Sequence, residues 1–96
     1  MLESYIENQG NKSAKRNGWS HRKVRWIGRR AAPDRLYMKP GAGFFFVEYK
    51  RPGEKPRPDQ AREIELIRSC GITVHVIDNV ADAIELFEGD RCTLLD

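Results

Sequence analysis

The stretch from Phe44 to Gln60, FFFVEYKRPGEKPRPDQ, decides how this chain folds. Its first half is the most apolar run in the sequence, yet it leads straight into Glu48 and Lys50. A carboxylate or an ammonium held against a core is costly unless a partner or a function compensates for it. Alternation along a strand puts Phe44, Phe46, Glu48 and Lys50 on one face and Phe45, Val47 and Tyr49 on the other. Three prolines and a glycine between Arg51 and Pro58 then rule out regular structure. They deliver the chain to a helix beginning at Pro58 or Asp59, with Ala61, Ile64, Ile67 and Cys70 as its apolar stripe and Gly71 near its C-terminal cap.

Upstream, Leu2, Tyr5 and Ile6 stand at helical spacing and predict a first helix from Leu2 to about Asn17, stopped by Gly18. His21 to Ile27 alternates, with Val24 and Trp26 on one face and Lys23 and Arg25 on the other, as in a strand with a basic face. After the loop GRRAAP, Asp34 to Met38 is a short strand, and KPGAG turns it back into Phe44–Lys50 as a hairpin. Downstream, Ile72 to Ile77 is a β-branched strand and Ala81 to Phe87 a last short helix, with the tail from residue 88 to 96 unassigned. A strand reached through a crossover helix lies parallel to the one before it. The expectation is therefore a single α/β domain over residues 1–96, a small mixed β-sheet flanked by helices in the order αβββαβα.

With 40% hydrophobic and 32% charged residues the composition is that of an ordinary globular domain, and 96 residues build only a thin core. The net charge of +3 conceals an asymmetry. Between Asn11 and Arg35 the only acid among nine lysines and arginines is Asp34, whereas Asp78 onward is acidic apart from Arg91. A basic segment of this kind suits a polyanion such as nucleic acid, although a solvated surface also explains it. No run approaches a membrane span and the N-terminus lacks the apolar core of a signal peptide, so an intracellular, cytoplasmic location is expected. Cys70 and Cys92 are far apart and His21 and His75 are off zinc-ligand spacing, so both cysteines are expected as reduced thiols, Cys70 packed in the core.

The chemistry converges on the hairpin. If its ends pair in register, Asp34 approaches Glu48, and two carboxylates meet beside the Lys50 ammonium. Mg²⁺ favours a few carboxylate oxygens with several waters, leaving room for a phosphate oxygen and an attacking water. Lys50 can hold that water or stabilise the transition state. Each residue also has a plainer reading: Asp34 as a turn residue, Glu48 and Lys50 as an edge-strand ion pair, and Gln60 as a cap of its helix. Trp19 and Trp26 fit a core or a stacked base equally well.

APD at 32–34, fourteen residues before EYK at 48–50, with a helix opening at PDQ, resembles the PD-(D/E)XK nuclease superfamily. RRAAPDR and VEYKRPG are similar to its VRR-NUC branch, including the small stand-alone phage and bacterial versions, over about Leu2 to Asn79. The resemblance implies a restriction-endonuclease-like core and Mg²⁺, with Mn²⁺ as a substitute. It makes Asp34, Glu48 and the backbone carbonyl of Tyr49 the metal ligands, Lys50 the catalytic lysine and Gln60 a supporting residue. A glutamate on the first helix joins them, Glu3 before Glu7. It also implies an endonuclease acting on DNA, with branched substrates such as Holliday junctions, and a homodimer. Lys23, Arg25, Arg29, Arg30, Arg35 and Arg51 are the candidate phosphate contacts. The competing expectations are a non-catalytic DNA-binding module with the nuclease fold and a general or restriction-type duplex nuclease.

Overall fold

A computed structural model describes residues 1–88, and the remaining residues, Cys92 among them, lie outside the described part. The chain runs α1 (Glu3–Arg16), β1 (Ser20–Lys23), β2 (Arg35–Lys39), β3 (Gly43–Tyr49), α2 (Pro58–Ser69), β4 (Val74–Ile77) and α3 (Val80–Glu88). The element order is the one expected from sequence. The strands lie in the order β1-β2-β3-β4, antiparallel through β3 and parallel between β3 and β4, so the sheet is mixed and β3 is internal.

Alternation along β3 sorts the core into two layers. Val47 and Tyr49 point to a cluster with Tyr37, Ile6, Ala14, Trp19, Ala83 and Phe87, under α1 and α3, and Phe45 packs against it. Phe46 points the other way, to Ile64, Ile67 and Val74 under α2. Trp19 is therefore core, 4% exposed, with its ring 5.1 Å from Phe45 and 6.0 Å from Phe87.

Several expectations are corrected. Phe44, expected in the core, is 54% exposed: it is the second residue of β3, its ring edge-on to Phe46. Leu2 and Tyr5 are exposed, and α1 instead buries Ile6, Gly10, Ser13 and Ala14. Cys70 is an exposed free thiol, and Ala61 is exposed as well. A spacing of three drifts about 60° round a helix per step, so Ala61 and Cys70 stand roughly opposite each other. The face that meets the sheet is Gln60, Glu63, Ile64 and Ile67, at i, i+3, i+4 and i+7. Finally, β1 stops at Lys23, four residues short of the expected end, because Trp26 turns away to α2.

Small residues on α1 allow it to lie close to the sheet and to α3. Ser13 Oγ donates to the carbonyl of Ile84 at 2.8 Å, which ties the two helices together and satisfies a buried hydroxyl. Gly10 lies directly on the Tyr49 hydroxyl, where a Cβ would overlap it. That hydroxyl is 2.7 Å from the Tyr37 hydroxyl, which donates to Asn11 Oδ1 at 2.6 Å. Gly10→Ala gains about 1 kcal/mol of helix propensity but forces α1 off this buried chain, an overpacking cost of about 1–3 kcal/mol. The net expectation is a lower urea midpoint, recovered in Gly10→Ala/Tyr49→Phe, where the obstructing oxygen is gone. An unchanged midpoint in the single variant would show that α1 is free to shift.

Candidate functional site

The site forms where β2 begins and β3 ends. Arg35 pairs with Val47, so the next step of the antiparallel register sets Asp34 opposite Glu48. Asp34 is fixed there by its own strand partner, accepting the Tyr49 amide on Oδ2 at 2.7 Å. The Tyr49 side chain points to the opposite face, into the hydroxyl chain under α1, which anchors the backbone between Glu48 and Lys50 from below.

Glu48 and Lys50 are 3% and 5% exposed, and Lys50 Nζ lies 3.5 Å from Glu48 Oε2. Lys50 Nζ also donates to Gln60 Oε1 at 2.8 Å, and the same oxygen accepts the Arg57 amide at 3.0 Å. Gln60 therefore closes the N-terminus of α2 and aims the lysine at once. One side-chain oxygen thus caps the helix and holds the lysine. Proline at the first helical position suits this geometry, since the amide it lacks would have no intrahelical partner.

Burial pushes the Glu48 carboxyl up to about 7, and the negative charge of Asp34 adds to this against the pull of Lys50. Asp34 is raised as well, by burial first, although the Tyr49 amide opposes the shift. Glu3, in the first turn of α1, is raised by partial burial and then by the charge of Asp34. Glu7 is committed elsewhere, accepting from Arg35 Nε on Oε2 at 2.6 Å. Asp34, Glu48, Lys50 and Gln60 are thus brought together; the charge of Glu3 acts on Glu48, and that of Glu7, which is bonded to Arg35, acts on Asp34.

Among the described residues no three His, Cys, Asp or Glu side chains gather into a ready-made metal cluster. The donor set nonetheless fits a small hard cation. It offers two facing carboxylates, Glu48 buried and Asp34 half-buried, both raised in pKa chiefly by burial, and Mg²⁺ commonly takes one or two carboxylates and keeps several waters. Asp34, Glu48 and the Tyr49 carbonyl would hold it, with Glu3 close enough to act through its charge.

Of the six basic candidates, Lys23, Arg25, Arg30 and Arg51 are exposed. Arg29 is held by Glu63 at 3.2 Å while still largely exposed. Arg35 is turned inward, with its guanidinium on Glu7 and 3.2 Å from His21 Nδ1. Burial and the Arg35 charge hold His21 below the usual histidine range, which suits a ring nitrogen accepting from Arg35. The sequence reading missed Glu63, whose carboxylate accepts from Trp26 Nε1 at 2.8 Å. A charged residue three after Gln60 and four before Ile67, at the spacing of one helix face, was the signal available.

No family model matches the chain. A curated protein of Acyrthosiphon pisum secondary endosymbiont phage 1, named "Putative nuclease p44", is 48% identical over 52 residues, 54% of this chain. The chain spans about half (56%) of the length of that relative. A solved structure described as "VRR_NUC domain" superposes with a TM-score of 0.83 at 32% identity, covering 90% of this chain and 94% of that one. Agreement at that identity, over nearly the whole of both chains, in the fold that sets Asp34 opposite Glu48, establishes that this chain belongs to the VRR_NUC domain family.

Proposed function

We propose that this protein is a metal-dependent endonuclease that hydrolyses DNA phosphodiester bonds. Branched DNA such as a Holliday junction is its substrate, and Mg²⁺, or Mn²⁺ in its place, is its ion. The observation that carries the reading is the juxtaposition of Asp34 and Glu48 beside a buried Lys50 whose ammonium is aimed by Gln60. Acids that serve only to bind DNA would repel its phosphates, so retaining two of them in a basic protein argues for chemistry.

Lys50 Nζ is the positioned proton-carrying group. Fixed between Gln60 and Glu48, it can orient the attacking water and meet the charge that grows on the phosphoryl oxygens. A divalent cation at Asp34 and Glu48 would supply further positive charge there and lower the pKa of water. The Tyr37–Tyr49 hydroxyl chain and the Asp34–Tyr49 bond hold the strand end rigid, so the acids keep their separation through turnover. Lys23, Arg25, Arg30 and Arg51 would meet phosphates without reading sequence. A two-fold homodimer would set two such sites against two strands of a junction. The nuclease-named phage relative supports this reading and a bacterial or phage-infected cytoplasm as its setting.

The test is cleavage of a labelled four-way junction and of linear duplex of the same sequence in Mg²⁺ and in Mn²⁺, with Glu48→Ala as control. Cutting of the junction alone, dependent on the ion and on Glu48, is the expected result. Equal cutting of both substrates would leave a general duplex nuclease. Binding with no cutting under either ion would leave a DNA-binding module.

A further inference from the structure

Glu63 is a charged side chain only 7% exposed, in the middle of the α2 face that packs on the sheet. It accepts from the Trp26 indole on Oε2 at 2.8 Å and from Arg29 on Oε1 at 3.2 Å, so both its oxygens are engaged by the segment between β1 and β2. The Trp26 ring is seated edge-on against Phe46, 6.4 Å between centroids. Three residues before Asp34, Ala31 takes a φ of 71°, a conformation that a residue with a Cβ adopts only when its surroundings impose it. Beyond the Val24–Asp34 backbone bond that closes its ends, this long connection with little regular structure is thus tied to α2 by a buried carboxylate.

Fastening this segment creates a feature. Between it and α2 lies a groove of about 490 Å³ lined by Arg29, Arg30, Ala31, Asp59, Arg62 and Glu63. Both acids in it are engaged, Glu63 as above and Asp59 by Arg57 at 3.4 Å. Arg30 and Arg62 have no ion-pair partner among the described residues and are exposed. Two residues of the groove are close in the chain to the candidate site: Asp59 precedes Gln60, and Ala31 is three residues from Asp34. Three residues span at most about 11 Å, so a strand lying across Asp34 and Glu48 reaches the groove within a few nucleotides.

We propose that Glu63 is a positioning residue that fastens the Trp26–Arg30 segment to α2, and that the groove so formed binds the backbone phosphates flanking the scissile bond through Arg30 and Arg62. This inference rests on the nuclease reading. Arg29 belongs to the fastening, and Arg62, absent from the basic segment of the sequence, becomes a nucleic-acid contact.

Binding is measured by anisotropy of a labelled four-way junction in EDTA, across a salt series, alongside the indole N–H resonance of Trp26, assigned with Trp26→Phe. Glu63→Ala is expected to move that resonance and weaken binding roughly 10-fold, and Glu63→Gln, which keeps an oxygen for the indole, to recover most of the loss. Under cleavage conditions KM should rise more than kcat falls. Arg30→Glu/Arg62→Glu is a surface change that keeps the test alive should Glu63→Ala fail to fold. It should flatten the salt slope by about 0.9 for each phosphate that the variant no longer neutralises. A moved indole resonance with unaltered affinity, or an unaltered slope in the double arginine variant, overturns the inference while leaving the nuclease reading intact. A wild-type protein that binds no DNA overturns both.

Discussion

Lys50→Ala is expected to lower single-turnover cleavage by about 10³-fold, the range for losing a positioned proton-transfer or charge-stabilising group. DNA affinity in EDTA should change only slightly. The separation follows from burial. At 5% exposure, Lys50 presents almost no surface to a strand held by the exposed cations, and its ammonium is already paired with Gln60 and Glu48. A residue so placed contributes little to encounter and much to the reacting phosphate. Arginine is not expected to rescue it, because a planar fork cannot occupy the single point between the Gln60 and Glu48 oxygens. Unchanged turnover in Lys50→Ala would remove this residue from the chemistry and the proposed site with it.

Glu48→Gln should abolish cleavage yet stabilise the metal-free protein at neutral and alkaline pH. Burial, and after it Asp34, lifts the Glu48 carboxyl from 4.5 to about 7. Between those values the folded chain keeps a proton on Glu48 that the unfolded chain has released, so stability falls as pH rises through this window. The full loss, reached above about pH 7, is about 3 kcal/mol at 1.36 kcal/mol per pKa unit. The attraction of Lys50 is already included in that shift, so the neutral amide escapes the cost even though it forfeits the ion pair. In EDTA the variant should therefore match wild type near pH 4 and exceed it in urea midpoint at pH 8. Added Mg²⁺ or Mn²⁺ should raise the wild-type midpoint and leave the variant unmoved, because the ion supplies the charge that the paired carboxylates lack. Wild-type stability that is flat from pH 4.5 to 8 would mean that Glu48 is well solvated and no such pair exists.

Much of this was legible in the chain because it depends on short-range rules. Alternation in FFFVEYK fixes which side chains share a face, and it correctly divided Phe46 and Glu48 from Val47 and Tyr49. Proline and glycine in RPGEKPRP forced the break before α2, and the hairpin turn at KPGAG brought Asp34 level with Glu48. Gln60 was open to a capping as well as a supporting reading, and in the fold its side-chain oxygen meets both the Arg57 amide and the Lys50 ammonium. Where the reading failed, spacing alone had to stand in for a surface not yet known. The stripe through Ala61 and Cys70 was periodic in the sequence but drifted off the side of α2 that the sheet covers. Trp26 continued the alternation of β1, yet a carboxylate 37 positions later drew it away.

By itself, then, the sequence determined the order of elements, the mixed sheet and the acid, acid, lysine trio, because these follow from backbone periodicity and from turn residues acting over a few positions. Only the tertiary structure decided which arginines remain free and which side chains Glu63 holds. Glu3 and Glu7 share a face of one helix, and only the docking of α1 gives the second to Arg35. Arg29, Arg30 and Arg35 are indistinguishable as a run of cations until packing provides acids for the first and last. Charge partners are chosen by proximity through space, at sequence separations of 28 and 34 here, where no local rule reaches.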